Sequence, residues 1–394
     1  MKEQIQQRAN ELQEQLVEVR RHLHRYPELS FQEHQTAAFV LEQLNSYGID
    51  AKLHSETGIV ALIKGENGDS DRVLALRADL DALPLQEKSD KNYCSEHSGV
   101  MHACGHDVHT TSLLGTAMIL HDLRSSFAGT VKFIFQPGEE KLPGGASIMI
   151  KNGVLKDPEP QAILGQHVFP DLEAGKVGFR AGKYMASCDE IYLTVKGKGG
   201  HGALPHKVID PVLIGSHIIV ALQQIVSRRS NALLPTVLSF GCFNANGATN
   251  VIPDEAKLEG TFRTYDEEWR EEAHKLIRQI AEQTAGSMGA SCEVKIEKGY
   301  PFVYNDPLLT DQARSDAEAY LGKENVVDLE MRPTGEDFSF YTHTLPGTFY
   351  RLGVRNELKG ITSAVHTTTF DVDEACLSVG SGLMAWLAIQ NLKR

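Results

Sequence analysis

Residues 73–81, VLALRADLD, set the fold class: an apolar run broken only by Arg77 ends directly on two carboxylates, Asp79 and Asp81. A short continuous apolar run with no helical spacing reads as a strand buried on both faces. The same form recurs at 58–63 (GIVALI), 131–136 (VKFIFQ) and 162–166 (AILGQ). Helical spacing falls between these runs, over 36–47 (stopped by Gly48), over 109–123, and in a stretch between 136 and 162. Strands alternating with helices predict an α/β domain with a mixed, largely parallel sheet. Upstream, Ile5, Ala9, Leu12, Leu16, Val19 and Leu23 form one stripe of a single long helix ending before Pro27. Residues 82–108 have no clear period, and long irregular loops in compact domains are often functional.

The pattern changes after about residue 185. Strands are expected over 189–196, 236–243, 256–264 and 291–297, and helices over 210–229 and 267–286. The order βαββαβ is that of a ferredoxin-like α+β unit. Mixed character then returns, with a helix near 307–321, a strand at 347–352 and a helix near 373–391. The expected organisation is one α/β domain in two parts, 1–185 and 299–394, interrupted by an inserted α+β domain over 186–298. The connections near 180–187 and 298–305 would serve as hinges.

Composition narrows the function. A chain of 394 residues with 41% hydrophobic and 23% charged residues has ample material for a packed core. Its net charge of −13 argues against a broad nucleic-acid or anionic-membrane surface. No apolar stretch approaches a membrane span, and the N-terminus lacks an apolar signal core. Six cysteines without a CxxC pair fit a reducing, cytoplasmic setting better than a disulfide framework.

Sixteen histidines are more telling, because they cluster. MHACGHDVH (101–109) places Cys104, His106, His102, Asp107 and His109 within nine residues at the end of the long loop. Thiolate and imidazole suit zinc and its neighbours. FQPGEE (135–140) brings Glu139 and Glu140 to the end of a buried strand. Ligands of open α/β sheets bind at carboxyl ends of strands. Two adjacent carboxylates there are costly unless a metal offsets one, which frees the other as general base. Gln166 and His167 end a further apolar strand, and His366 lies beyond the inserted domain in VHTTTF. In that domain, GKGGHGALPH (197–206) is a glycine-rich loop carrying His201 and His206, without the form of a P-loop. Asn250 and Arg263 follow, and an arginine could pair with a substrate carboxylate in bidentate fashion.

The series RADLDALP, HACGHD, QPGEE, QHV, GKGGHGALPH, TNVIPD, TGEDFSF and VHTTTF resembles the amidohydrolase branch of the aminoacylase/carboxypeptidase metallopeptidases. That branch includes hippurate hydrolases, N-acyl-amino-acid amidohydrolases and auxin-conjugate hydrolases. The resemblance runs over nearly the whole chain, and it makes 1–185 with 299–394 the catalytic domain and the inserted 186–298 a lid or dimerisation domain. It implies two divalent metal ions per subunit (Zn, Mn, Co or Ni) held by Cys104, His106, Glu140, His167 and His366, with Cys104 bridging. In the wider superfamily the bridge is usually an Asp, and a His stands where this chain has Asp79. The resemblance makes Asp81 the supporting carboxylate and Glu139 the general acid/base. His201 would reach the partner subunit's site in a homodimer and steady the oxyanion. Asn250, Arg263 and Gly335 would contact substrate. The implied reaction is hydrolysis of a small N-acyl amino acid by a metal-activated water. A dipeptidase or carboxypeptidase, or a deacetylase of a diaminopimelate-type amino acid, would use the same site. Two more distant readings are a Cys104-nucleophile hydrolase and a non-catalytic relative.

Overall fold

The computed structural model describes residues 1–394. Its contacts divide the chain into two compact units. The first comprises Met1–Lys183, Tyr304–Met331 and Asp337–Arg394, and the second Tyr184–Val303 with Arg332–Glu336.

In chain order the first unit opens with α1 (Lys2–Glu11), α2 (Gln13–Arg25), α3 (His34–Ser46), β1 (Ala51–Leu53), β2 (Ile59–Lys64) and β3 (Val73–Asp79). There follow α4 (His106–Asp122), β4 (Thr130–Gln136), α5 (Gly145–Lys151), β5 (Ala162–Glu173) and β6 (Val177–Phe179). After the short β7 (Gly182–Met185) come β8 (Asp189–Lys196), β9 (Gly200–His201), α6 (Pro211–Gln224), β10 (Val237–Asn244), β11 (Val251–Ile252), β12 (Glu255–Arg263), α7 (Glu267–Ser287) and β13 (Ser291–Lys298). The chain ends with β14 (Val303–Asn305), α8 (Pro307–Leu321), β15 (Val326–Asp328), α9 (Ser339–Thr342), β16 (Gly347–Arg355) and α10 (Cys376–Leu392).

The first unit is built on an eight-stranded sheet of order β1-β2-β4-β3-β5-β16-β6-β15. Its four central strands, β4, β3, β5 and β16, are mutually parallel. All seven residues of β3 are buried, which explains its unbroken apolar run. Parallel strands align their carboxyl ends, so the segments after β3 and β4 and the middle of β5 meet on one edge. The α4 helix is buried over its first fifteen residues, with polar side chains such as His106, Asp107 and His109 in its first turn and apolar ones such as Leu113, Leu114 and Ala117 further on.

Three boundaries differ from expectation. The strand expected to end at 166 continues as β5 to Glu173, which puts His167 in its middle, because residues 167–169 and 173 pair on with β16. The N-terminal helix is two helices meeting at Leu12, whose backbone stays right-handed (φ −82°, ψ −10°). The apolar stripe therefore passes through the interruption, with Ile5, Leu12 and Leu16 all buried. The irregular segment ends at Gly105 rather than 108, because α4 starts on His106 itself.

The second unit pairs four strands, all antiparallel, in the order β10-β12-β8-β13. Alternate residues Ile191, Leu193 and Val195 of β8 face a core shared with Ile214 and Ile218 of α6 and Ile277 of α7. The segment Pro211–Arg229 is long and apolar enough by composition to cross a membrane, but its buried face lies in this core. Residues 332–336 also belong here, although the sequence reading left them in the C-terminal segment. Arg332 N–H donates to Tyr184 O at 2.9 Å, and Ala186 N–H donates to Arg332 O at 3.1 Å.

A buried ion pair anchors this unit. Arg270 Nε donates to Asp189 Oδ2 at 2.9 Å, and His274 Nε2 lies 2.7 Å from the same oxygen. Gly299 N–H donates to Asp189 Oδ1 at 3.0 Å. Burial penalises the Asp189 carboxylate, but its bonds to Arg270 and His274 hold it at about 2. A depressed carboxyl stabilises the fold above its unfolded value of about 4, and the contribution is lost as pH falls through the folded value. Asp189→Asn should therefore cost about 3 kcal/mol at neutral pH, because buried Arg270 loses its bidentate partner and keeps only the Glu267 carboxylate, 2.9 Å from Nη1. Chemical unfolding against pH should show the gap to wild type closing in acid. A gap that is small at neutral pH, or constant with acid, would contradict this.

Candidate metal centre

The carboxyl edge of the parallel strands carries the expected residues. Asp79 and Asp81 end and follow β3, Glu139 and Glu140 follow β4, and His167 lies in β5. Cys104 and His106 flank Gly105 at the start of α4. His366 adopts a left-handed backbone (φ 61°), and its N–H donates to Ala103 O at 2.7 Å. That bond ties the chain beyond the second unit to the Cys104 loop.

The donor atoms converge in two trios. Those of Cys104, His106 and His167 lie within 4.8 Å of one another, as do those of Cys104, Glu140 and His366. Cys104 belongs to both. Its Sγ is 3.4 Å from His167 Nε2 and 3.2 Å from His366 Nε2. Glu139 joins His106 and Glu140 in a further cluster of the same span. The first trio is buried throughout, whereas the His366 side chain is 52% exposed.

Hydrogen bonds decide which way the rings point. His106 Nδ1 lies 3.1 Å from Asp81 Oδ1, and His167 Nδ1 lies 2.8 Å from Val168 O. Each ring thus turns its Nε2 inward. His106 Nε2 is buried with no hydrogen-bond partner, and Glu140 Oε1 lies 3.2 Å from His366 Nε2. Histidine anchored through one nitrogen by a carboxylate or carbonyl, with the other bare, is the usual arrangement around a metal.

The electrostatics ask for a cation. Burial lifts the Cys104 thiol well above its ordinary range, and the carboxylates of Glu140, Glu139 and Asp79 lift it further. Burial works against protonating His106, yet Asp79, Asp81 and Glu140 push it up to about 10. Burial and the nearby Arg351 hold His167 well below its usual value, so it is neutral and ready to ligate. A divalent ion would replace the proton on His106 and favour the thiolate. These residues therefore fit the ligand set expected of Cys104, His106, Glu140, His167 and His366. They do not suit a thiol nucleophile, which needs electropositive surroundings.

The sequence singles out Asp81, whereas Glu33, Ser30 and Arg20 join its surroundings without any signal there. Glu33 Oε1 accepts the N–H of Gly138 at 2.8 Å and so shapes the turn before Glu139. Asp81 Oδ2 accepts from Ser30 Oγ at 2.6 Å and from the N–H of Glu140 at 2.9 Å. Gly105 has φ 86°, and a Cβ there would lie 2.4 Å from Val168 Cγ2. Only glycine allows the Cys104–His106 turn to close on β5. Arg77 donates to Asp79 at 2.6 Å and to Asp337 at 2.7 Å. Behind the site, buried Arg20 pairs with Asp107 at 2.8 Å and with Asp371 at 3.1 Å. His102, of the same motif, is buried and held down at about 4 by burial, outside both trios.

The remaining candidates lie in the second unit. His201 and Asn250 are exposed neighbours on the β9–β11 ribbon, where His201 faces Val251 and Gly202 N–H donates to Asn250 O at 2.9 Å. The N–H of Ala203 donates to His201 Nδ1 at 3.1 Å, so the neutral ring carries its proton on Nε2. Arg263 and Gly335 adjoin each other: a Cβ on Gly335 would stand 3.4 Å from Arg263 Nη1 and 2.9 Å from Cys188 Sγ.

Known proteins match this arrangement. N-acetylcysteine deacetylase of Bacillus subtilis is 41% identical over 376 residues, 95% of this chain and 96% of that protein. Thermostable carboxypeptidase 1 of Saccharolobus solfataricus is 36% identical over 392 residues, 98% of each chain. The crystal structure of Bacillus subtilis YXEP, described as a dinuclear metal binding peptidase from the M20 family, superposes with a TM-score of 0.83. It is 38% identical and covers 98% of this chain and 99% of its own. Residues 75–390 match Peptidase family M20/M25/M40, and the chain is a hydrolase of that family.

Proposed function

We propose that this chain hydrolyses the amide bond of N-acyl amino acids, of the N-acetyl or hippurate type, releasing a carboxylic acid and a free amino acid. The observation that carries the reading is the pair of donor trios joined at Cys104, with Glu139 beside His106 and Glu140. Cys104, His106 and His167 would hold one ion, and Cys104, Glu140 and His366 the other. When bound, two divalent cations supply an acidified water and polarise the acyl carbonyl. Zinc suits the thiolate and imidazole donors, and manganese, cobalt or nickel are the other candidates.

The protein's own groups do the rest. Glu139 takes a proton from the attacking water and returns it to the leaving amine nitrogen. Asp81 holds His106 in the tautomer that leaves Nε2 bare. His201 presents an Nε2–H donor for the tetrahedral oxyanion. Arg263 and Asn250 receive the free α-carboxylate, and Gly335 leaves the Arg263 guanidinium uncrowded. Among the relatives, the deacetylase is more similar to this chain than the carboxypeptidase, which favours an acyl group over a peptidyl one. A carboxypeptidase or dipeptidase remains the second reading, because that relative spans the same length.

His201 is assigned to the partner's site in a homodimer. Two features of the second unit support such a pairing. Leu213 (56% exposed) and Val220 (72% exposed) lie one heptad apart on the outer face of α6. Strand β10 is an edge strand, with Val237 and Phe243 exposed along it. An apolar helix face beside a bare strand edge suits a two-fold interface. All six cysteines are free thiols, in keeping with a cytoplasmic setting.

Hydrolysis of hippurate, several N-acetyl amino acids, an indole-acetyl amino acid and two dipeptides should vanish on chelation and return with added divalent metal. Glu139→Gln should keep both ions and lose about 10²–10⁴-fold or more in turnover, as for removal of a general base. Near-wild-type turnover in that variant, or activity that survives complete metal removal, would sink the assignment. Mixing Glu139→Gln chains with His201→Ala chains should regenerate about a quarter of wild-type activity, because one hybrid site recovers both groups. No recovery after confirmed subunit exchange would show that His201 does not act in trans.

A further inference from the structure

His109 belongs to the same histidine cluster but to neither donor trio of the proposed two-ion centre. Its ring centroid is 5.4 Å from that of His106 and 4.6 Å from that of His167. With Asp79 and His106 its donor atoms even form a third trio within 4.8 Å. Hydrogen bonding shows why this third trio is not a cation site. The N–H of Val168 points at His109 Nε2 at 2.8 Å, and a backbone N–H can only donate. Nε2 is therefore an acceptor, and the ring proton sits on Nδ1. Nδ1 in turn lies 2.6 Å from Asp79 Oδ1, whose other oxygen accepts from Arg77 Nη1 at 2.6 Å. Both nitrogens are engaged, so no lone pair remains for a metal.

We propose that His109 is a positioning residue that fixes the peptide between His167 and Val168 and thereby aims His167 Nε2 at Cys104. This inference rests on the reading of His167 as a metal ligand. His167 is steered from two sides. Its own Nδ1 bonds to Val168 O, while the amide it shares with Val168 is held by His109. The Val168 side chain fills the space above Gly105, where a Cβ would lie 2.4 Å from Cγ2. One residue thus registers β5 against the Cys104–His106 turn, and His109 locks its backbone. Without an acceptor at Nε2, the buried Val168 N–H is left unsatisfied. A turn of that peptide would relieve it and carry His167 Nε2 away from the thiol.

Two conservative variants separate the bonds. His109→Asn keeps a donor for Asp79 but has no acceptor that reaches Val168. His109→Gln keeps an acceptor near the place of Nε2. Full-length metal-free protein is titrated with cobalt(II), and affinity and the visible d–d spectrum are recorded, with His167→Ala as reference. Thermal unfolding of the metal-free forms checks the fold. The expected result is a loss of about 10–100-fold in cobalt affinity for the Asn variant, typical of outer-shell partners, together with altered d–d bands. The Gln variant should stay within a few-fold of wild type. Three results would overturn the inference while leaving the ligand reading intact: Asn binding like wild type when His167→Ala does not, Gln losing as much as Asn, or both variants failing to fold. Native cobalt binding by His167→Ala would instead remove the ligand reading, and the inference with it.

Discussion

Five acidic groups, Asp79, Asp81, Cys104, Glu139 and Glu140, converge at one edge of the sheet, and four of them are fully or almost fully buried. Leaving such a set ionised in a low-dielectric interior costs far more than any single packing interaction returns. Arg77 offsets Asp79, and a proton on His106 offsets part of the rest. A divalent cation would offset the remaining charge. The polar layer behind the site is arranged so that bare nitrogen and oxygen atoms face the place where cations would sit.

Asp81 organises that layer. It holds the ring of His106, the N–H of Glu140 and the hydroxyl of Ser30 at once. One carboxylate thus sets the segment after β3, the turn after β4 and the start of α4 in a common frame. Burial penalises its charge, but these bonds hold it below the usual carboxylate range, so it remains an acceptor. Glu33 plays a parallel part at Gly138. Catalytic groups carried by loops are placed accurately only when such partners remove their freedom.

Much of this was legible in the chain itself. Strand runs such as VLALRA and VKFIFQ are legible because burial on both faces leaves an unbroken apolar signal. The family resemblance, carried by ordered motifs, was borne out by the match over residues 75–390. What stayed hidden is tertiary. The resemblance singles out His106 as a ligand but says nothing of His109, whose role depends on the Val168 N–H that its Nε2 accepts. Glu33 and Ser30 sit in a segment without periodicity, so nothing local marks them as supports. Strands β1, β6 and β15, three residues each, are too short to leave a pattern and exist through their pairing. Residues 332–336 join the second unit through backbone bonds to Tyr184 and Ala186, nearly 150 positions away, which no local spacing encodes.

The central claim is that one thiolate, Cys104, joins two divalent ions. Anomalous diffraction from crystals of the metal-loaded protein tests it most directly. The account predicts two peaks per chain, each about 2.3 Å from Cys104 Sγ, one bounded by His106 and His167 and the other by Glu140 and His366. A single peak, or two peaks of which only one touches the sulfur, would contradict it.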